Sequence, residues 1–243
     1  MSIIKKIKKH GITKSFLFGL KLINKNNKNI INKIIAKKIL SENKFKTEED
    51  YLKFSYEYLD LMQEKYEIKE LLKIVKNKKP KIILEIGSAR GGTLFLFSKY
   101  ASKNATIISV DLPGGEFGGG YSKSRIPIFE KFIEKEQKIE LIRNNSHLKN
   151  TKNKVLEILK NKKIDFLFID GDHTYKGVKT DFNLYSQLVS KGGIIALHDI
   201  AKHPKETNCQ VDKFWNEIKK KHPHKEIILD KNQGWAGIGV IFK

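Results

Sequence analysis

The first acidic residue of this 243-residue chain is Glu42. Eleven lysines stand ahead of it, about half of the net charge of +21. Arginine is nearly absent, with only Arg90, Arg125 and Arg143. Arginine forks are the commoner readers of base edges, so an excess made of lysine argues against specific nucleic-acid recognition. Cys209 is the single cysteine, which excludes an internal disulfide framework and fits a reducing, cytoplasmic compartment. No apolar run approaches the length of a membrane span. Ser15–Leu20 is too short and too closely flanked by lysine to be a signal peptide. Hydrophobic residues, at 40%, are plentiful enough for the core of one α/β domain.

Residues 1–46 read as a separate basic extension. Ile3, Ile4 and Ile7, then Phe16, Leu17 and Leu20, then Ile30, Ile31, Ile34, Ile35 and Ile39 recur at helical spacing among lysines. Gly11 and Asn24–Asn29 divide the stretch into two or three helices. Such a helix can lie on an anionic membrane surface through residues 1–40, or pack on the domain or on a partner subunit of a homo-oligomer. The main domain spans 47–243. It opens with Thr47 as a helix cap ahead of Glu48, Glu49 and Asp50. Helical patterning then runs through Tyr51–Val75 and stops at Pro80.

From Lys81 strands and helices alternate. Strands are expected at 81–86, 106–111, 138–142, 164–169, 193–198, 225–229 and 236–242. Helices are expected at 91–101, 123–136, 150–161, 176–189 and 209–221. Alternation means parallel crossover units. Only Asp230–Trp235 separates the last two strands, too little for a crossover helix, so they pair antiparallel. The fold is therefore α/β: a doubly wound, mostly parallel seven-stranded sheet with an antiparallel C-terminal hairpin.

The first strand, Ile82–Ile86, runs into Gly87 and then Gly91-Gly92 at the start of a helix. Ligands of doubly wound sheets bind at such strand ends, where glycine lets the backbone approach and the helix start offers free N–H groups. A dinucleotide fingerprint needs a second glycine where Ala89 stands. Glu85 sits badly beside a pyrophosphate and suits a cationic ligand. Asp111 ends the next strand, placed to accept ribose hydroxyls. The loop Asp111–Tyr121, with five glycines, reads as a flap over the ligand. Glu85-Ile-Gly-Ser-Ala-Arg-Gly-Gly and Asp111 resemble the first and second motifs of the class I S-adenosylmethionine-dependent methyltransferases. The resemblance implies S-adenosylmethionine as cofactor, held by Glu85, Gly87, Ser88, Gly92 and Asp111, with Ser146 and His147 beside the adenine.

The fourth strand ends in Asp170-Gly-Asp172-His173 and the fifth in His198-Asp199. Three acids and two histidines converging on one crevice repel or titrate unless a cation sits among them, and a divalent metal is the simplest answer. This resembles the metal-dependent branch of the same methyltransferases, with catechol O-methyltransferase, the macrolide sugar O-methyltransferases and the cephalosporin-hydroxylase-like proteins. Carried onto this chain, the resemblance assigns Asp170, His198 and Asp199 to the metal and His173 to the general base. Magnesium prefers oxygen, so His198 either stands off or shifts the preference toward manganese, iron or zinc. The expected activity is O-methylation of a small polar substrate, a sugar or glycan. Two rival readings are a non-haem iron oxygenase using Asp170, His173 and His198, and a non-catalytic surface-binding module. A nucleic-acid methyltransferase would show Asn/Asp-Pro-Pro-Tyr/Phe where Asp170-Gly-Asp-His173 stands.

Overall fold

A computed structural model describes residues 25–42, 45–117 and 119–243; the helices expected ahead of Lys25 lie outside the described residues. The chain enters through α1 (Lys25–Glu42), α2 (Glu48–Tyr58) and α3 (Lys65–Lys78). Thr47 caps α2 as its position predicts: its Oγ1 accepts from Asp50 N at 3.2 Å, and Asp50 Oδ2 accepts from Thr47 N at 2.9 Å. The patterning over Tyr51–Val75 resolves into two helices instead of one. Leu59 N and Leu61 N both donate to Ser55 O, and Asp60 turns through φ +49° and pairs with Arg90. Glu64 Oε2 then restarts the helix by accepting from Tyr66 N at 2.6 Å. Neither glycine nor proline marks this break, so periodicity reads straight through it. The break carries Gln63 to the edge of the sheet.

The sheet comprises β1 (Ile82–Ile86), β2 (Thr106–Asp111), β3 (Lys138–Arg143), β4 (Ile164–Ile169), β5 (Val189–His198), β6 (His224–Ile227) and β7 (Ile238–Phe242). Its order is β3-β2-β1-β4-β5-β7-β6. β1 to β5 are mutually parallel, and β7 runs antiparallel to both β5 and β6. This is the doubly wound sheet with its C-terminal hairpin. The crossovers use α4 (Gly92–Tyr100), α5 (Ile126–Phe129), α6 (Lys149–Leu159), α7 (Tyr175–Tyr185) and α8 (Val211–Ile218). The helix expected over 123–136 shrinks to α5 with one 3-10 turn ahead of it. Gln137 closes the following turn instead: its Oε1 accepts from Glu134 N at 3.1 Å, and its Nε2 donates to Ser98 O at 2.9 Å.

Strands covered on both faces carry apolar residues at every position, and alternate side chains enter opposite layers. Ile83, Ile107, Phe166 and Phe168 pack with α2, α3 and α4, while Leu84, Ile108, Leu167 and Ile169 pack with α6, α7 and α8. Ala36 and Ile39 of α1 are buried in the first layer, and Lys33 Nζ donates to Ser124 Oγ at 2.6 Å. Phe97 of α4 meets the edges of Phe166 and Phe168 at centroid distances of 4.9 and 5.1 Å. Truncating such a ring costs about 3–5 kcal/mol, a large part of the ~5–15 kcal/mol that holds a domain folded. The sheet is thus a rigid platform, and its carboxyl edge is where the candidate residues gather.

Candidate active site

Gly87 N donates to Val110 O at 2.9 Å and Asp170 N to Ile86 O at 2.8 Å. The chain leaving β1 therefore threads between the ends of β2 and β4, where the strand order reverses and a crevice opens. Gly87 sits at φ +84°, and a Cβ there would lie 1.9 Å from Asp170 O, so no other residue fits. A cavity of about 650 Å³ occupies this crevice. Gly87, Ala89, Asp111, Asn144, Ser146 and His147 line one half, and Asp170, Asp172, His173, His198, Asp199 and His203 the other.

The first half satisfies its acids with neutral donors. Asp111 Oδ2 accepts from Ser88 N and Ala89 N, both at 2.8 Å, and Oδ1 accepts from Tyr121 N at 3.0 Å. Burial still raises its pKa against those three donors. Gly120, at φ +60°, lets the flap close on this carboxylate, since a Cβ would come within 2.2 Å of Oδ1. Glu85 is fully buried; its Oε2 accepts from Ser88 Oγ at 2.6 Å, while Oε1 has no partner. Burial pushes its pKa up to about 8. His147 Nε2 lies 3.4 Å from Asp181 Oδ1, which raises the imidazole above its usual range.

The second half alternates acids with imidazoles. Asp170 Oδ1 is 3.1 Å from His198 Nδ1 and 3.4 Å from His173 Nε2, and Gln63 Nε2 donates to Asp170 Oδ2 at 2.7 Å. Asp199, at φ +63°, turns back beside it, with Oδ1 3.3 Å from His198 Nδ1 and Oδ2 2.8 Å from His173 Nδ1. Burial works against every one of these charges, and the mutual pairing overcomes it. Asp170 and Asp199 are held below the usual carboxylate range, His198 is raised well above its ordinary value, and His173 is pushed up to about 12. His198 Nε2 is buried without a partner. One ligand atom each from Asp170, His198 and Asp199 lie within 4.8 Å of one another. Neighbouring ligands about 2.1 Å from one ion are roughly 3 Å apart, the spacing seen here. With Gln63 orienting Asp170 as outer-shell partners do, the donor set fits a divalent cation.

The described fold is shared with solved methyltransferases. An O-methyltransferase from Bacillus cereus in complex with S-adenosylhomocysteine aligns over 86% of this chain and 97% of its own, with a TM-score of 0.55 and 16% identity. A TDP-rhamnose 3'-O-methyltransferase of calicheamicin biosynthesis aligns over 88% and 93%, with a TM-score of 0.53 and 15% identity. Residues 84–200 match the family model of a methyltransferase domain. Over those residues the chain is similar to the methyltransferase-domain family, and its fold is that of the solved O-methyltransferases. A protein of Acanthamoeba polyphaga mimivirus is 32% identical over an alignment of 127 residues that covers 48% of this chain. The chain spans about half the length of that relative.

Within this fold the residues singled out from the sequence separate into lining and supporting groups. Gly87, Asp111, Ser146, His147, Asp170, His173, His198 and Asp199 all line the cavity. Glu85, Ser88 and Gly92 stand behind the wall. Ser88 Oγ joins Glu85 to Ser109, and a Cβ on Gly92 would press on Leu61 at 2.9 Å. The flap reaches across the opening, where Phe117 stacks on His173 with centroids 4.7 Å apart. Gln63, Phe117, His203 and Trp235 also line the cavity and were not singled out from the sequence. His203 follows Asp199 by four residues, a spacing that could have flagged it. Gln63 carries no such signal, because an undetected helix break delivers it.

Proposed function

We propose that this chain transfers the methyl group of S-adenosylmethionine to a hydroxyl of a small polar molecule of the sugar class, with a divalent metal assisting. The observation that carries this reading is the Asp170–His198–Asp199 cluster opening into the same cavity as Gly87 and Asp111. The similarity to a TDP-rhamnose 3'-O-methyltransferase supports a sugar hydroxyl. A bound divalent ion would lower the pKa of that hydroxyl; Asp170, Asp199 and His198 would hold it, and the nitrogen of His198 widens the choice from magnesium to manganese or iron.

The chain's own residues do the rest. A carboxylate offers about four acceptor sites, and Asp111 spends three on backbone N–H groups, leaving one for a ribose hydroxyl. Gly87, Ser88 and Gly92 shape the turn for the aminoacyl end, and Glu85 braces that turn from beneath through Ser88 Oγ. Ser146 and His147 flank the adenine. His173 takes the substrate proton as its oxygen attacks the methyl carbon, while the carbon–sulfur bond breaks to leave a neutral thioether. With both its nitrogens facing carboxylates, His173 is an imidazolium. It becomes a base only once another cation matches the charge of Asp170 and Asp199, which couples proton removal to metal loading. Positioning both reactants in one cavity supplies about 7–11 kcal/mol of the barrier.

Among the described residues no helix is long and apolar enough to cross a membrane. We place residues 1–46 as a basic extension beside a catalytic domain at 47–243: α1 packs on that domain through Ala36 and Ile39, and the lysine-rich stretch ahead of it docks on an anionic membrane surface or on a second copy of the chain. The test of function is transfer of a labelled methyl group to a panel of nucleotide sugars, with chelator and with magnesium or manganese restored. Transfer that chelator stops and metal restores supports the proposal. Oxygen uptake without methyl transfer would favour the iron-oxygenase reading and sink this one.

A further inference from the structure

The loop between β5 and α8 folds back over the carboxyl edge of the sheet. Gln210 N donates to His173 O at 2.8 Å, and Cys209 N donates to Thr207 Oγ1 at 3.3 Å, which fixes Cys209 beside His173. One ligand atom each from His173, Asp199 and Cys209 lie within 4.8 Å of one another. His203, from the same loop, brings Nε2 to 3.2 Å from Asp199 Oδ1. Its Nδ1 is 2.8 Å from Ala201 O. A proton on Nδ1 therefore satisfies that carbonyl, and Nε2 turns inward. The backbone bond thus fixes the ring and aims Nε2 at Asp199, as outer-shell partners of a metal do. Nε2 faces a carboxylate oxygen, a second acceptor, so a proton must lie between them. The His203 and Asp199 side chains are only 8% and 10% exposed, which leaves little water to serve instead.

We infer that His173, Asp199 and Cys209 form a second metal site, with His203 orienting Asp199, for a soft divalent cation of the zinc class. Thiolate and imidazole select such ions, and magnesium and calcium avoid them. One nitrogen, one sulfur and one carboxylate oxygen make a three-ligand set that zinc accepts with its fourth position open. The cluster differs from the Asp170–His198–Asp199 set in its sulfur and in His173, and it shares Asp199. Filling it would also take His173, the group given the substrate proton, so a zinc-class ion would inhibit transfer. That consequence rests on the proposed function; the binding itself does not.

The test uses metal-stripped full-length protein titrated with cobalt(II). A thiolate-to-cobalt charge-transfer band should grow, saturate at one equivalent, vanish when zinc is added and be absent in Cys209→Ser. His203→Asn should weaken zinc binding by roughly 10–100-fold, measured against a chromophoric chelator. Asp170→Asn should keep the cobalt band, because that carboxylate belongs to the other set. Cobalt binding without a thiolate band, a band that survives in Cys209→Ser, or zinc affinity indifferent to His203→Asn would each overturn the site. Where methyl transfer is measurable, zinc should inhibit the parent and spare Cys209→Ser. The spectroscopic arm stands whether or not transfer is found, so failure of the site and failure of the methyltransferase reading remain distinguishable.

Discussion

The two halves of the cavity bury acids in opposite ways. Beneath the glycine turn, Glu85 is raised to about 8 by burial, and Asp111 is wrapped by three backbone N–H groups. Across the crevice, Asp170 and Asp199 face imidazoles at 2.8 to 3.4 Å and are driven the other way. Buried charge is tolerated only when it is neutralised or paired. The first half neutralises with fixed dipoles and suits an organic ligand with its own donors. The second half pairs charge with charge, which an ion can replace. One sheet edge thus carries a ligand-shaped region and an ion-shaped region, and variants should be able to damage one without the other.

The largest effect is expected in the second half. His173→Ala should depress methyl transfer by ~10²–10⁴-fold, as loss of a general base does, while calorimetry finds S-adenosylmethionine affinity unchanged. A rate close to the parent's would remove His173 from the reaction. In the first half, Asp111→Ala should weaken cofactor binding by about tenfold or more, since hydrogen bonds to a charged group contribute roughly 1.5–3 kcal/mol. It should also loosen the flap by freeing Tyr121 N. Affinity equal to the parent's would mean that Asp111 serves only the turn.

Glu85 sharpens the contrast through pH. Its carboxyl gives up a proton at about 8 in the folded chain against 4.5 when unfolded, because of burial. The folded state therefore holds an extra proton between those values, and stability falls as pH rises through that window. Glu85→Gln removes this slope, so the melting temperature of the variant should gain on the parent's between pH 4.5 and 8. A gap that stays constant with pH would contradict a neutral Glu85. The smallest effect is expected outside the cavity. A chain starting at Lys25 should keep cofactor affinity and lose any binding to anionic vesicles at low salt. Removing α1 as well should cost roughly 2 kcal/mol of stability, because Ile39 is buried.

The platform was more legible in the sequence than the site it carries. Five of the strands follow from short apolar runs, β3 from alternation and β6 from its place before the last turn, and Asp230–Trp235 dictates the antiparallel hairpin. Asp170, His198 and Asp199 were readable as one cluster because parallel topology brings the ends of neighbouring strands together. What the sequence could not convey is how the loops return. Asp60 takes a left-handed turn with no glycine to announce it and so brings Gln63 to Asp170. His203 and Cys209 arrive on a loop tied back by Ala201 N to Ala236 O and by Gln210 N to His173 O, neither readable as a motif. The same blindness covers the wall behind the cavity: glycine at position 92 reads as a place for a ligand, whereas its missing Cβ makes room for Leu61.

Asp170→Asn tests the division of labour most directly, because Asp170 touches both halves. Its main chain closes on Gly87, and its side chain reaches His198 and His173. Calorimetric titration with S-adenosylmethionine and labelled-methyl transfer should be run side by side on the parent and the variant, each with magnesium or manganese. The predicted result is an unchanged dissociation constant with metal-stimulated transfer abolished. Transfer at the parent's rate, or cofactor affinity lost in step with activity, would contradict a cavity divided between a cofactor half and a metal half.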